Sequence, residues 1–555
     1  MEKRTLLAFV LSFIVLVTWS YFYTPKEAPA PEEPAQKESV QKGPVQSEAV
    51  TESDTLAQST PGEIVKETAG PAQPLNEELI EIDTPLYSAV FSNIGPTIRS
   101  FKLKNYRQTI DPNSPLIELV NLGEGQGGFL ELSFKGASLS QRRNTAYEVE
   151  GASMKLETGG MPRELVFNHT NSDGIMTKQT FRFYPDTYKI DFNVDVVNRS
   201  ANMVEGKISA LIRARNPEGK TGYYSFNGLV ILADKKLDEI KIKKTTDEKA
   251  VEGNLEWMAY ENAYFLSALA PESPWKGIFR GRLLQSGNLV GTYEPPALKL
   301  NPSAQVSESF HLYMGPRELD LLKGFGQNLD KAVNFGWTNI IAKPLLYVLR
   351  FFEKYIHNYG LAIIVLTILV KMLFWPLTHK SYKSMGEMKK IQPRIMAIRE
   401  KYKHDKQQMN KEMMGLYRTY KVNPMGGCLP MVIQIPVFFA LFRVLGSAIE
   451  LRHAPFMLWI TDLSAPDRLF HLPFKLPLMS PPYGIPVLTL LMGASMFLQQ
   501  KMTPSPGDPA QAKMMMFLPL IFTFFFINFP SGLVLYWLVN NLLSIGQQYR
   551  ILKRT

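Results

Sequence analysis

The residues with the greatest potential for chemistry in this sequence are polar side chains inside apolar segments. Lys371 lies within LAIIVLTILVKMLFWPLTHK, and the next charge after it is Lys380. At a helical rise of roughly 1.5 Å per residue, Lys371 would lie about 13 Å deeper than Lys380. A lysine at the centre of a membrane-spanning helix costs roughly 2.5 to 3.5 kcal/mol, so such a residue usually marks a functional site.

Uncharged polar residues in the same and later apolar segments could converge on Lys371. They are Thr367, Gln434, Thr523, Asn540, Ser544 and Gln547. Together with the lysine they would line a hydrated, positively charged groove, because no apolar segment contains an acidic residue. Alternatively, each hydrogen-bonds a neighbouring helix, which is worth about 0.6 kcal/mol on average in membranes. We favour this alternative for Gln434 and Thr523 taken alone.

Catalytic and metal-binding signatures are missing from the sequence. It has no G-x-x-x-x-G-K-[ST] motif for phosphate binding, no H-E-x-x-H motif and no Cys/His cluster for zinc. The single cysteine, Cys428, allows no intrachain disulfide, and we interpret it as a small buried side chain. We therefore predict a protein that is not an enzyme and that uses no cofactor or metal.

The first half of the 555-residue chain changes composition twice. Residues 1–23 begin with basic residues and continue as an apolar run that ends in aromatic rings, which predicts an uncleaved signal anchor. Residues 24–75 are dominated by Pro, Glu, Ala, Gln, Ser and Thr, a composition typical of a disordered tether. Residues 76–335 contain short alternating runs such as FLELSF, broken by Gly, Asn, Asp and Pro. This pattern predicts a large all-β sandwich domain.

The second half has helical periodicity and long apolar runs. Residues 338–358 predict an amphipathic helix on the membrane surface, or alternatively a helix packed on the soluble domain. The uncharged run from Met514 to Tyr549 is too long for one crossing of about twenty residues, and Pro530 divides it. With the N-terminal anchor, six transmembrane helices are predicted. The other five span residues 360–377, 426–448, 484–500, 514–529 and 533–549.

The distribution of charge predicts the orientation of these helices. Residues 378–424 contain twelve Lys or Arg against four Asp or Glu, which places this segment in the cytoplasm. Residues 449–483 contain three charges of each sign and are predicted to lie outside, with the β domain. Residues 501–513, the tail 550–555 and both termini are then cytoplasmic. The net charge of +10 mostly reflects membrane topology, so we expect no direct contact with nucleic acid.

The cytoplasmic segment 378–424 has the pattern of a helical hairpin. Methionines recur along both predicted helices, among many lysines and arginines. Methionine-rich basic surfaces suit varied apolar partners and anionic lipids. The alternative is that the methionines only hold the hairpin together.

Four runs resemble the YidC-type membrane protein insertases. They are WPLTHKSYKSMGEMKKIQP, VNPMGGCLPMVIQIPVFFALF, ELRHAPFMLWITDLS and FLPLIFTFFFINFPSGLVLYW. The resemblance covers about residues 340–550, and the anchor and β domain are similar to the form found in bacteria with two membranes. It implies a five-helix core that inserts and folds proteins of the inner membrane, alone or with the Sec translocon. The implied partners are nascent membrane proteins, Sec components and, more weakly because the tail is short, the ribosome.

The resemblance also implies roles for individual residues. Lys371 takes the position of the positive charge in the family's groove, and Thr367 and Trp537 fall at two other positions that the family uses. The third and fifth spans form an apolar slide, which makes Ile435, Phe438 and Phe525 candidate contacts for the substrate. Lys371 replaces the usual arginine and lacks its forked geometry. Trp537 replaces a usual tyrosine, so no hydroxyl role is expected there.

Two other functions compete with membrane insertion. A secondary transporter could use Lys371 as an ion or substrate site, but the sequence shows no inverted repeat or paired broken helices. The β domain could be a sugar-processing enzyme on a membrane anchor, but the sequence identifies no pair of catalytic carboxylates. We therefore expect an insertase, with a β domain that serves as a docking module.

Overall fold

A computed structural model describes residues 76–123, 127–136, 139–140, 145–216, 226–420, 422, 429–476, 479–503 and 509–554. The predicted signal anchor, the whole predicted tether and Cys428 lie outside the described residues. The described chain begins with a β domain (residues 79–316) and continues into a helical domain (residues 339–554).

The β domain contains twenty strands. They are β1 (Leu79–Asp83), β2 (Tyr87–Ser92), β3 (Thr97–Arg107), β4 (Leu116–Glu118), β5 (Leu130–Gly136), β6 (Leu139–Ser140), β7 (Glu148–Glu150), β8 (Met154–Lys155), β9 (Arg163–Thr170), β10 (Ile175–Phe183), β11 (Lys189–Asn198), β12 (Val204–Arg215), β13 (Gly228–Ala233), β14 (Lys236–Ile240), β15 (Glu248–Glu261), β16 (Phe265–Pro271), β17 (Trp275–Leu283), β18 (Asn288–Glu294), β19 (Leu298–Leu300) and β20 (Gln305–Pro316).

These strands form two sheets that pack face to face. The smaller sheet has the order β4-β3-β2-β1-β8, and the path of the larger runs β6-β5-β12-β18-β17-β15-β16-β20-β11-β10-β9-β7. Every second residue of β10 is buried, as a strand with one face on a core requires. Phe91 of β2 packs edge-on against Phe181 and Phe183 of β10, at centroid distances of 5.0 and 5.4 Å. The predicted all-β sandwich is confirmed.

A short helical connection leads out of the β domain. It consists of α1 (Leu319–Phe325), two 3₁₀ turns (Leu329–Ala332 and Gly336–Thr338) and α2 (Asn339–Ile356). Helix α2 is amphipathic, since Leu346 and Leu349 are buried whereas Phe351 and Tyr355 are exposed. Its buried face packs on the helices that follow.

The remaining helices form the helical domain. They are α3 (Tyr359–Leu373), α4 (Trp375–Lys401), α5 (Lys406–Thr419), α6 (Leu429–Ser447), α7 (Val487–Met502), α8 (Pro509–Phe526) and α9 (Ser531–Arg554). Between α6 and α7 lie a 3₁₀ turn (Ile449–Leu451), β21 (Leu469–His471) and β22 (Gly484–Ile485). We refer to residues 448–486 as the α6–α7 loop.

Helix α3 ends earlier than the apolar pattern suggests. Proline lacks a donor and its ring crowds the carbonyl four residues earlier, so Pro376 favours a new helix start over continuation. Helix α3 accordingly stops at Leu373, and α4 begins at Trp375 with its axis bent by 66°. Residues 375–377, which the sequence places in the second span, therefore belong to the first arm of the helical hairpin.

Among the described residues, no single helix meets both the length and the apolarity needed for a membrane crossing. The pair α3 and α4 meets these criteria only as a bent unit. The six predicted crossings are thus not confirmed by the helices themselves.

Helix α9 is the centre of the helical domain, since it contacts α3, α4, α6 and α7. Helix α8 packs on α7 at a glycine. A Cβ added at Gly493 would lie 2.1 Å from Thr523 Oγ1. A small residue at this position lets the two helices approach closely, as is common between membrane helices.

Candidate functional site

Lys371 and Ser544 form the centre of the polar site. The Lys371 side chain is only 7% exposed, and its Nζ donates a hydrogen bond to Ser544 Oγ at 2.5 Å. Ser544 Oγ in turn donates to the main-chain carbonyl of Asn540 at 2.7 Å. Within the described part of the chain, Lys371 takes part in no ion pair, so its ammonium group contacts only a neutral partner.

Thr367 lies one helical turn before Lys371 and is 1% exposed. Its Oγ1 donates to the carbonyl of Ile363, four residues earlier, at 2.6 Å. Thr367 therefore lies on the buried side of α3 but hydrogen-bonds its own helix. Asn540 contributes its carbonyl to the site through Ser544, as described above.

Gln434 and Thr523 use their polar atoms elsewhere in the bundle. Gln434 Nε2 donates to the hydroxyl of Tyr536 at 3.3 Å, which joins α6 to α9. Thr523 Oγ1 donates to the carbonyl of Pro519 at 2.8 Å within α8. Neither side chain is hydrogen-bonded to Lys371.

Two further polar contacts extend the site along α9. Gln547 Nε2 donates to Thr378 Oγ1 at 2.9 Å, just beyond the bend between α3 and α4. Asn541 Nδ2 donates to Ser495 Oγ of α7 at 3.0 Å. None of Thr378, Ser495 and Asn541 was predicted from the sequence. Of the three, only Asn541 carries a signal in the sequence, because it is a polar residue in an uncharged run. Which helix it contacts depends on where α7 packs.

The predicted slide residues divide into an exposed set and a packed set. Ile435 on α6 is 45% exposed and Phe525 on α8 is 63% exposed. Phe438, in contrast, packs edge-on against Trp537 at 4.8 Å and also lies 6.2 Å from Phe526. Aromatic side chains thus join α6, α8 and α9, while neighbouring residues present apolar surface outward.

Two buried, neighbouring charged residues, Asp467 and Arg468, organise the α6–α7 loop. Asp467, 3% exposed, accepts hydrogen bonds from Trp459 Nε1 and from the main-chain N–H of Leu488 in the first turn of α7. A carboxylate is favoured at a helix N-terminus by the helix dipole. Burial raises the pKa of Asp467, and these hydrogen bonds oppose the rise.

Arg468 connects this loop to the turn between α8 and α9 by hydrogen bonds. It donates to the carbonyls of Pro482 and Ile527 at 2.9 and 2.8 Å and to Asn528 Oδ1 at 3.2 Å. Two main-chain bonds strengthen the contact: Ser531 N–H to the carbonyl of Ala465 at 2.8 Å, and Gly532 N–H to that of Leu463 at 2.9 Å. We call residues 462–468 together with 527–532 the cap, because they cover this end of the helical domain.

Arg452 joins the α6–α7 loop to the β domain. Its Nη2 donates to the carbonyls of Arg107 and Gln108, at 2.6 and 3.2 Å, next to the end of β3. The guanidinium also lies 5.8 Å from the ring centre of Tyr264 and 5.7 Å from that of Phe265. A single side chain thus connects two loops that are more than 300 positions apart in the chain.

Within the described residues, no group of three or more His, Cys, Asp or Glu side chains is placed to bind a metal ion. The site offers hydrogen-bond donors, one cationic group and apolar surface. Such a set can attract and guide a polar or acidic segment.

Comparisons with known proteins cover the whole length of the chain. The family model "60Kd inner membrane protein" matches residues 351–555, and the model "YidC periplasmic domain" matches residues 79–348. The membrane protein insertase YidC of Pelobacter propionicus is 41% identical over 563 residues, covering 100% of this chain and 99% of that protein. The one from Syntrophobacter fumaroxidans is 43% identical over 561 residues, covering 99% of each. A crystal structure of an active YidC insertase aligns with 21% identity and a TM-score of 0.36 over 86% of this chain and 93% of that one.

Proposed function

The chain belongs to the YidC family of membrane protein insertases, and we propose that it handles its clients through the ammonium group of Lys371. It inserts and folds integral membrane proteins of the inner membrane, and residues 79–348 contain its periplasmic domain. The transporter alternative gains no support from these relatives.

The finer topology is part of the proposal. Six transmembrane helices cross the inner membrane, with both termini and the α4–α5 hairpin in the cytoplasm. The strongest support is the excess of basic residues in 378–424 over the balanced charges of 449–483. In this orientation the cap faces the periplasm and the bend at Phe374 faces the cytoplasm.

The observation that carries the mechanism is the Lys371–Ser544 hydrogen bond. An ammonium group held by a single neutral hydroxyl keeps its charge uncompensated, and at low dielectric such a charge attracts an anionic group strongly. The polar, often acidic, leading end of a client therefore takes the place of Ser544 as the partner of Lys371. The client hairpin is drawn part-way into the bilayer from the cytoplasmic side.

The apolar part of the client follows a different surface. Ile435 and Phe525 present exposed apolar side chains on α6 and α8. A client helix slides along these side chains into lipid, where burial of its apolar surface is favourable. An inside-negative potential of 100 mV adds about 2.3 kcal/mol per acidic charge moved fully outward. The chain therefore needs no nucleotide as an energy source.

Partners other than clients also belong to the proposal. The Sec translocon is a partner by family membership, and the ribosome is a weaker one because the tail is short. The basic, methionine-rich α4–α5 hairpin binds anionic lipids and apolar client segments. The β domain serves as a docking module without catalytic activity, in line with relatives that are named insertases.

Nascent-chain crosslinking tests the proposed path. A photoreactive amino acid replaces Ile435 or Phe525, and a stalled single-span client is offered in membranes. We expect crosslinks at both positions and none at Leu490, a 51% exposed residue of α7 that serves as the control. Equal crosslinking at Leu490, or none at Ile435 and Phe525, would contradict the path.

A further inference from the structure

A cavity of about 680 Å³ lies where the β domain, α1 and α2 meet the start of the α6–α7 loop. Four carboxylates line it, from Glu318, Asp320, Glu353 and Glu450. Two lysine or arginine side chains, Arg350 and Lys354, face them. Counted over Asp, Glu, Lys and Arg, the lining therefore has an excess of two negative charges.

One guanidinium is shared among three of these carboxylates. Arg350 Nη2 lies 2.6 Å from Asp320 Oδ2 and 3.5 Å from Glu318 Oε1, and its Nε lies 3.7 Å from Glu450 Oε1. Only the contact with Asp320 has the distance of a strong hydrogen bond. A single positive charge cannot neutralise three carboxylates, so the cavity is suited to a second cation.

The lack of positive charge is most marked at Glu450. Its side chain is only 9% exposed, and its Oε1 accepts no hydrogen bond from any residue that the structure describes. Burial raises the pKa of both Glu450 and Glu318. A buried carboxylate oxygen without a donor costs free energy, and an incoming ammonium group would supply the missing donor.

Aromatic rings complete the lining. Tyr106, Tyr347, Phe351 and Tyr359 border the cavity, and ring faces attract ammonium groups. Tyr347 already interacts with a cation from outside the lining, because Lys323 Nζ donates to its hydroxyl and lies 4.8 Å from its ring centre. The cavity thus combines excess negative charge with aromatic surface, the features that recognise an organic ammonium ion.

The position of the cavity indicates the source of that ion. Phe351 is 56% exposed and Tyr355, one turn further along α2, is 68% exposed. An amphipathic helix with aromatic residues on its outer face suits the boundary between headgroups and acyl chains. Lys354 and His357 also line the cavity, where they can contact a phosphate while the carboxylates contact an ammonium group.

We propose that this cavity binds the headgroup of a phospholipid with a primary ammonium group, of the phosphatidylethanolamine class, from the outer leaflet. The inference rests on the proposed topology, which places α2 at the periplasmic surface of the membrane. The ammonium group lies between Glu318 and Glu450, the phosphate lies toward Lys354, and the acyl chains extend along Phe351.

Native mass spectrometry of the full-length chain in detergent tests the proposal. The protein is offered equal amounts of phosphatidylethanolamine, phosphatidylcholine and phosphatidylglycerol. We expect phosphatidylethanolamine to be retained about tenfold over the other two, because each charge-assisted hydrogen bond to a buried carboxylate is worth about one such factor. Phosphatidylcholine has a quaternary ammonium that donates no hydrogen bond, and phosphatidylglycerol has no cation.

Variants link the preference to the cavity. The double variant Glu318→Gln/Glu450→Gln should retain the three lipids equally, whereas Glu272→Gln, at an exposed position of the β domain, should keep the wild-type ratio. If the double variant does not fold, Glu318→Gln alone should reduce the ratio. Soluble phosphoethanolamine should displace the lipid, which identifies the headgroup as the part that is recognised.

Several outcomes would overturn the proposal: equal retention of the three lipids by the wild type, a preference for phosphatidylglycerol, or an unchanged ratio in the double variant. Displacement by a lysine peptide without any lipid preference would instead assign the cavity to a cationic polypeptide. Lys371→Ala should leave the lipid ratio unchanged. The insertion assay thus tests the proposed role of Lys371, and the lipid ratio separately tests the proposed lipid site.

Discussion

Lys371 Nζ and Ser544 Oγ lie 2.5 Å apart and join α3 to α9 across 173 positions of the chain. The contact places a cationic group in the interior of the helical domain with a neutral partner. Burying a charge in this way costs free energy, and a buried charge that is kept in spite of this cost usually has a function. The relationship therefore leads directly to predictions for both residues.

The first prediction concerns the charge of Lys371. In a strain depleted of its own insertase, Lys371→Ala should abolish insertion of a small single-span client with an acidic leading segment. Lys371→Arg should support insertion, because arginine keeps the positive charge. Protease protection of the client segment measures the outcome. Normal insertion by the alanine variant would disprove the role of the charge.

The second prediction concerns Ser544. Ser544→Ala removes the hydrogen-bond partner of a buried ammonium group and should lower the free energy of unfolding by about 1 to 3 kcal/mol. Ser447→Ala serves as the control, since Ser447 Oγ donates to the carbonyl of Arg443 in its own helix. Thermal unfolding in detergent compares the two. Equal losses of stability in the two variants would show that the hydrogen bond to Lys371 stabilises the fold no more than a hydrogen bond within one helix.

The third prediction concerns the cap. Arg468→Ala should lower the free energy of unfolding by about 1 to 3 kcal/mol, because the carbonyls of Pro482 and Ile527 and the side-chain oxygen of Asn528 lose a charged donor. Amide hydrogen exchange at residues 527–532 should accelerate. Arg199→Ala, at an exposed position of the β domain, is the control. Unchanged exchange in the cap would contradict the role of Arg468.

The fourth prediction is a pH dependence in the β domain. Glu261 is buried, and burial raises its pKa to about 7, although Arg317 at 3.8 Å opposes the rise. The folded state therefore binds the proton more tightly than the unfolded state. This contribution is fully present below the ordinary pKa of 4.5 and is lost as the pH rises through about 7.

Thermal unfolding of the full-length chain between pH 5 and pH 8 tests this dependence. Stability should fall with rising pH by at most about 1.4 kcal/mol per pH unit from this group. Glu261→Gln should flatten the curve. An equally steep curve in that variant would assign the dependence to another residue.

The fifth prediction concerns the β domain as a whole. Deleting residues 79–316 while keeping α1 and α2 should leave growth of a depletion strain intact, because Lys371 and the slide residues all lie in the helical domain. A deletion that continues through α2 should be lethal, since α2 packs on α3 and α6. Lethality of the shorter deletion would show that the β domain has an essential role.

Local patterns carried much of the information about fold and site. Apolar and polar residues alternate along strands such as β10, and this alternation predicts strands with one face on a core. In β10 every second residue is indeed buried. Ser544 was identifiable for a similar reason, since a polar residue at helical spacing in an uncharged run needs a partner. The pattern did not show that Ser544 is the hydrogen-bond partner of Lys371.

Other parts of the site depend on contacts that leave no pattern in the sequence. Arg468 binds main-chain carbonyls and Asn528 at separations of 12 to 60 positions. Every residue has a main-chain carbonyl, so the sequence does not show which of them a side chain will bind. The pairing of Asn541 with Ser495 requires knowing which face of α9 meets α7. The early end of α3 was missed because apolar composition outweighed the proline at position 376.

The cap also bears on the electrical insulation of the membrane. Main-chain bonds between residues 463–465 and 531–532, together with the buried Arg468, hold the α6–α7 loop against the turn between α8 and α9 at that end of the helical domain. A loop and a turn held together in this way restrict the passage of water and ions, so a protein that admits polar client segments keeps its proton conductance low. The cell can retain its ion gradients while insertion proceeds along the side of the protein.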